Sequence, residues 1–140
     1  MPMLTTDPVE LLDHRTHLRL IPAERAEHGR YLAIDGGDGK WLLPLRRRAN
    51  HIGRGPGADL RIDDLRVSRL HAIINHLPDE VHILDSRSLN GTFVNGQRIV
   101  AARLHHGDVV RVGPLTLRYV EVPAQVQALN ATGSGSSLAA

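Results

Sequence analysis

Two Asn-Gly pairs, Asn90-Gly91 and Asn95-Gly96, stand on either side of a three-residue β-forming run, Thr92-Phe93-Val94. Asn and Gly both accept a positive φ at little cost, so Asn-Gly is the strongest short turn signal a sequence carries. One turn therefore precedes a strand and a second follows it. Leu84-Asp85-Ser86 enters this stretch, and Arg98-Ile99-Val100 leaves it. Residues 86–91 then form a polar loop at one end of a sheet, displaying hydroxyls and an amide.

The rest of the chain has the same texture. Strand-like runs occupy residues 18–21, 31–34, 41–45, 60–62, 72–77, 81–85, 109–112 and 115–120, with shorter pieces at His51-Ile52 and at 97–100. Pro22 closes the first, and Pro44 suggests an edge position for the third. Residues 101–108 read as a connection turning at His106-Gly107-Asp108. About eleven short strands at roughly 8–12-residue spacing, with no strong helical pattern, predict an all-β, two-sheet β-sandwich.

At 140 residues and 41% hydrophobic content, the chain supports one domain with a real core and is too short for two of ordinary size. The expected division is a flexible N-terminal segment at 1–15, with one turn of helix near Val9-Glu10-Leu11-Leu12. A domain at 16–122 follows, then a disordered C-terminal tail or linker at 123–140. There is no cysteine, which excludes disulfides and cysteine-based redox or metal chemistry. No run approaches the ~20 apolar residues of a membrane span. No basic-then-apolar leader opens the chain. A soluble, cytoplasmic protein without membrane contact is the expectation.

Lys40 is the only lysine, and the other cations are arginines. Arginine suits planar, bidentate contact with carboxylate and phosphate; the same bias equally reflects base composition. Arg46-Arg47-Arg48 reads as a solvated face, or as a lure for an anion if it lies beside the loops below.

Three loops stand out. His51-Ile52-Gly53-Arg54-Gly55-Pro56-Gly57 is glycine-rich but lacks the Gly-Lys-Ser/Thr of a Walker loop and the following helix of a dinucleotide fold. Its glycines let backbone amides approach an anion, and Arg54 adds a fork of donors. The second is Ser68-Arg69-x-His71, and the third is Ser88-x-Asn90-Gly91. If the three share one end of a sandwich, they assemble two guanidiniums, two hydroxyls and an amide. No base is paired with a nucleophile, so such a site binds an anion without turning it over.

Gly53-Arg54, Ser68-Arg69-x-His71, the stretch from Asn90 to Gly96 and His106-Gly107-Asp108, in this order and spacing, resemble a bacterial forkhead-associated (FHA) domain over roughly residues 18–122. The resemblance implies a sandwich of about eleven strands that binds phosphothreonine peptides through loops at one end, by arginine–phosphate contacts. It implies that Arg54 contacts the phosphate and that the Ser68 hydroxyl donates to a phosphate oxygen. Arg69 would supply a further phosphate contact, Ser88 would lie beside the phosphate, and Asn90 would hold the peptide backbone. Gly53, His71, Gly91, Asn95 and Gly96 match structural positions, with His71 bracing the loops. Leu89 stands where many members carry a phosphate-contacting threonine, which leaves the phosphate to Arg54, Ser68, Arg69 and Ser88. A small apolar pocket for the threonine methyl is also implied.

The expected function is a phosphothreonine-dependent interaction module in Ser/Thr kinase signalling, without catalysis or cofactor. Its partners would be a phosphothreonine protein or peptide and a Ser/Thr protein kinase. Thr5 and Thr6, beside Asp7, are candidate phosphorylation sites within reach of the chain's own loops. The competing class is a small basic nucleic-acid-binding β protein using Arg46-Arg47-Arg48. An aromatic content of 3% argues against it, because single strands need stacking platforms. The nine histidines, His105-His106 among them, fit no zinc spacing, and no metal is expected.

Overall fold

The protein, a computed structural model, is described over residues 8–12, 16, 20–36 and 39–124. Thr5, Thr6 and the tail beyond 124 lie outside the described residues. Among the described residues twelve strands occur in chain order: β1 (Ile21–Pro22), β2 (Gly29–Gly36), β3 (Gly39–Pro44), β4 (Ala49–Gly53), β5 (Leu60–Arg61), β6 (Ala72–His76), β7 (Val81–Asp85), β8 (Thr92–Val94), β9 (Gln97–Ile99), β10 (Ala101–Leu104), β11 (Val109–Val112) and β12 (Leu115–Val122). They form a seven-stranded sheet, β1-β3-β2-β12-β11-β8-β9, and a five-stranded sheet, β10-β7-β6-β4-β5. Pairing is antiparallel except between β4 and β5. The all-β sandwich predicted from the sequence is thus observed.

Alternation builds the core. Along β12, Leu115, Leu117 and Tyr119 are fully buried while Thr116 and Arg118 face water. Ile52, Ile74 and Ile83 oppose them from the smaller sheet, in one cluster with Leu32, Ile34, Val110 and Val112. Each such side chain contributes about 1.5–3 kcal/mol on burial. The Asn95-Gly96 turn closes the β8–β9 hairpin with positive φ at both residues (51° and 84°), as a type I′ turn requires.

Three strand expectations change. β1 is Ile21–Pro22, later than expected, with Leu20 buried just before it. β1, not β3, is the edge strand, although Pro44 pairs only with Tyr31 and has no β1 residue opposite it. The 101–108 connection contains a twelfth strand, β10. The chain passes from one sheet to the other across a single residue, Val100, and β10 buries only Leu104. A strand with one buried side chain carries almost no alternation to read.

A 3-10 turn spans Pro8–Leu11, within the region expected to hold a helical turn. Leu12 is buried and bridges Ile62, and the Asp63 N–H donates to the Leu11 carbonyl at 2.6 Å. Thr16, also buried, accepts from the Arg61 N–H at 2.8 Å and donates to the Asp59 carbonyl at 3.3 Å. These contacts cover the open edge of β5, which would otherwise present unpaired backbone groups.

Candidate functional site

The register brings the three loops to one end. Ile52 pairs with Ala72 and Ala72 with Asp85, so β4 ends where β6 begins and β7 ends. Thr92 pairs with Val112, which sets the start of β8 beside the end of β11. Arg46, Arg47 and Arg48 precede β4 and therefore lie at the opposite end. The Arg48 carbonyl accepts from the N–H of His76, the last residue of β6. The arginine run is no part of the loop site.

The loops are joined by hydrogen bonds. The Arg54 N–H donates to the Ser68 carbonyl and the Gly55 N–H to the Arg69 carbonyl, both at 3.0 Å. This approach requires glycine at 53, where a Cβ would stand 2.1 Å from the Arg69 oxygen. His71 is fully buried between the loops. Its Nδ1 accepts from the Ser68 N–H at 3.0 Å, which puts the ring proton on Nε2, 2.8 Å from the Gly91 carbonyl. Its backbone N–H reaches the Ile52 carbonyl, and its own carbonyl takes the Ser86 N–H, each at 2.9 Å. One residue thus ties β4 to both later loops.

Within the third loop Ser88, the residue expected beside the phosphate, has its hydroxyl turned into the loop. Ser88 is 7% exposed. Its hydroxyl donates to Asp85 Oδ1 and accepts from the Gly91 N–H at 3.0 Å. Both capacities are used inside the loop. The Thr92 hydroxyl donates to the same Asp85 oxygen at 2.7 Å, and the Ser88 N–H to Oδ2 at 3.2 Å. Asp85 and Thr92, not among the site residues expected from the sequence, therefore form the floor of the site. An Asp with Ser three residues on is a local turn-capping pattern and was the available signal.

Burial opposes ionisation of Asp85, but the hydrogen bonds from Ser88 and Thr92, with the Ser88 N–H and nearby His71, outweigh it. They hold its carboxyl below the usual range. A depressed folded-state value stabilises the fold above the ordinary aspartate range and is lost as pH falls through the folded value. Asp85→Asn should therefore lower the melting temperature at neutral pH and flatten its fall on acidification. Melting curves from pH 7 to 3 that run parallel for the two proteins would contradict this.

The remaining expected residues face outward. Arg54 is half-buried. Its Nε donates to the Val67 carbonyl at 3.0 Å, and its terminal nitrogens have no acceptor among the described residues. The Ser68 hydroxyl accepts from the Leu89 N–H at 3.0 Å and keeps its own proton to donate. Leu89 thus joins the third loop to the second through its backbone N–H. Arg69 is exposed and pairs with no acid among the described residues. Asn90 donates through Nδ2 to the Arg66 carbonyl at 2.8 Å, joining the third loop to residues 64–67. Arg66 itself is held by Asp64 in a two-pronged contact of 2.9 and 2.8 Å. The nearby acids, Asp64 and Asp85, are thus engaged, while Arg54 and Arg69 keep uncompensated charge. Donors without a free base suit a bound dianion.

Elsewhere, Asn95 accepts from the Val109 N–H at 2.9 Å and donates to Asp108 at 3.1 Å, locking the far hairpin. Among the described residues no three His, Asp or Glu side chains converge as a metal would need. No helix there is long and apolar enough to cross a membrane.

Comparison with known proteins agrees with this geometry. The family model for the FHA domain matches residues 50–113. The glycogen accumulation regulator GarA of Mycolicibacterium smegmatis is 32% identical over 115 residues, covering 73% of each chain. The ABC transporter ATP-binding/permease protein Rv1747 of Mycobacterium tuberculosis is 45% identical over 73 residues, or 52% of this chain. The chain spans 8% of that transporter and 55% of the M. tuberculosis GarA. A structure solved in an analysis of phosphothreonine-dependent FHA domain interactions superposes with a TM-score of 0.62 at 35% identity, covering 67% of this chain and 97% of the other. With the glycine–arginine loop, the bracing histidine and the paired Asn-Gly turns in place, the chain belongs to the forkhead-associated domain family.

Proposed function

We propose that this chain is a phosphothreonine-dependent protein-interaction module of Ser/Thr kinase signalling, without catalytic activity. One observation carries the reading. Three loops are locked together by internal bonds, yet the terminal nitrogens of Arg54, the proton of Ser68 and the guanidinium of Arg69 are left facing out. Arg54 and Ser68 bind the phosphate, Arg69 adds a flexible third contact, and Asn90 takes the peptide backbone with its remaining amide groups. Ser88 acts through the loop, by holding Asp85 and the Gly91 N–H. The solved relative named above and its phosphothreonine-dependent interactions support the same chemistry.

Both ring nitrogens of His71 and both oxygens of Asp85 are occupied, so neither is placed to move a substrate proton. The described aromatics do not favour a nucleic-acid reading: Trp41 packs, partly buried, against the core. Tyr31 and Tyr119 are buried, and Phe93 lies beneath Arg111. The test is a phosphothreonine peptide library with phosphoserine and unphosphorylated controls. Matched phosphothreonine peptides should bind more tightly than phosphoserine ones by about 1–3 kcal/mol, the worth of one methyl in an apolar pocket. Equal affinities in calorimetry would remove the methyl pocket, and no phosphopeptide binding would remove the reading.

A further inference from the structure

Phe93 lies in a cross-strand row on the outer face of the seven-stranded sheet. It pairs with Arg98 on β9 and with Arg111 on β11, and Arg111 pairs in turn with Thr116 on β12. The residues flanking Phe93 and Arg111 along their strands are buried inward or, for Val94, nearly so. All four members of the row therefore point away from the core. The Arg111 guanidinium sits 4.1 Å from the Phe93 ring centroid, a cation–π contact that leaves its charge in place.

Neither Arg98 nor Arg111 meets a carboxylate among the described residues. Other arginines of the chain do: Arg47 pairs with Asp59, Arg66 with Asp64 and Arg103 with Glu80. The row is also continuous with the loop site. Arg98 lies against Gly91, where a Cβ would meet its Nε at 2.7 Å. Gly91 is the residue whose carbonyl takes His71 and whose N–H takes Ser88.

We propose that the Arg98–Phe93–Arg111 row is a second docking surface, which receives an acidic segment of the same protein that presents its phosphothreonine to the loops. This rests on the reading of the loops given above. Charge complementarity and continuity with the loop site name the occupant. Arg98 and Arg111 are two strand spacings apart, about 10 Å, which is about three residues of extended chain. In a polyproline II segment crossing the strands, with about three residues per turn and about 3.1 Å rise, two carboxylates three residues apart share one face and match both guanidiniums. A single-stranded nucleic acid fits less well, because Arg111 covers the ring face that a base would stack on.

The test uses the full chain and the tightest phosphothreonine peptide from the library. Calorimetry compares that peptide with versions extended toward either terminus by a segment carrying two Asp residues three apart, or two Asn residues instead. One Asp-bearing extension should tighten binding about tenfold at low salt, and the gain should shrink as ionic strength rises. Arg111→Glu should erase the gain while leaving the short peptide's affinity and the melting temperature unchanged. Equal affinities for the Asp and Asn extensions would overturn the proposal. So would Arg111-dependent binding of an oligothymidylate with no gain from acid. Failure of every phosphopeptide to bind is a separate result: it removes the reading of the loops and this inference with it.

Discussion

Replacing His71 with alanine should lower stability by about 3–5 kcal/mol, combining the loss of a buried ring with a donor and an acceptor left unpaired. At roughly 4–8 °C per kcal/mol for a domain near this size, the melting temperature falls by more than about 10 °C. The Ser68 N–H and the Gly91 carbonyl would both face the vacated space. His71→Phe separates the two causes, since it restores most of the volume and leaves both backbone groups unpaired. Scanning calorimetry with peptide titration reads the outcome. Binding should weaken only in step with loosening of the loops. A His71→Ala protein that melts normally yet binds nothing would make His71 a ligand contact.

Arg54→Ala should leave the fold intact and cost about 2–3 kcal/mol of phosphopeptide binding, a loss of about 30- to 150-fold in affinity. The backbone bond from Arg54 to Ser68 survives the change, so the loop keeps its path. What goes is the fork of terminal nitrogens and the strut from Nε to the Val67 carbonyl that aims it. Arg54→Lys returns a charge without the strut and should recover only part of the loss. Calorimetry on a validated peptide decides. Unchanged affinity in Arg54→Ala would take this residue out of the site.

Local signals carried well from sequence to structure, and long-range ones did not. The Asn95-Gly96 hairpin and strands β7, β8 and β11 stand where turn chemistry and alternation put them. β10 escaped because its only buried side chain is Leu104, so its pairing with β7 is a property of the sheet and not of the segment. At the site, Arg54, Ser68 and Asn90 were visible as donors in loops. Ser88 looked the same in the sequence, but its hydroxyl is turned inward by Asp85, three residues before it. Whether a loop hydroxyl faces ligand or floor depends on partners that only the folded chain brings near. The N-terminal contacts were illegible for the same reason: Leu12 meets Ile62 across fifty positions of chain.

The bonded loops also bear on the thermodynamics of recognition. Arg54, Gly55, Ser68, His71, Leu89 and Gly91 each direct a backbone N–H to a protein acceptor, outside any strand ladder. Their conformational entropy is lost when the domain folds, not when a ligand arrives. A partner meeting this rim orders little beyond a few arginine side chains, so the entropic penalty of association falls mainly on the partner's own chain. A ligand already extended before contact keeps more of its interaction energy than one that must uncoil. Affinity differences between partner sequences should then reflect how each is shaped in the free state as well as what it touches when bound.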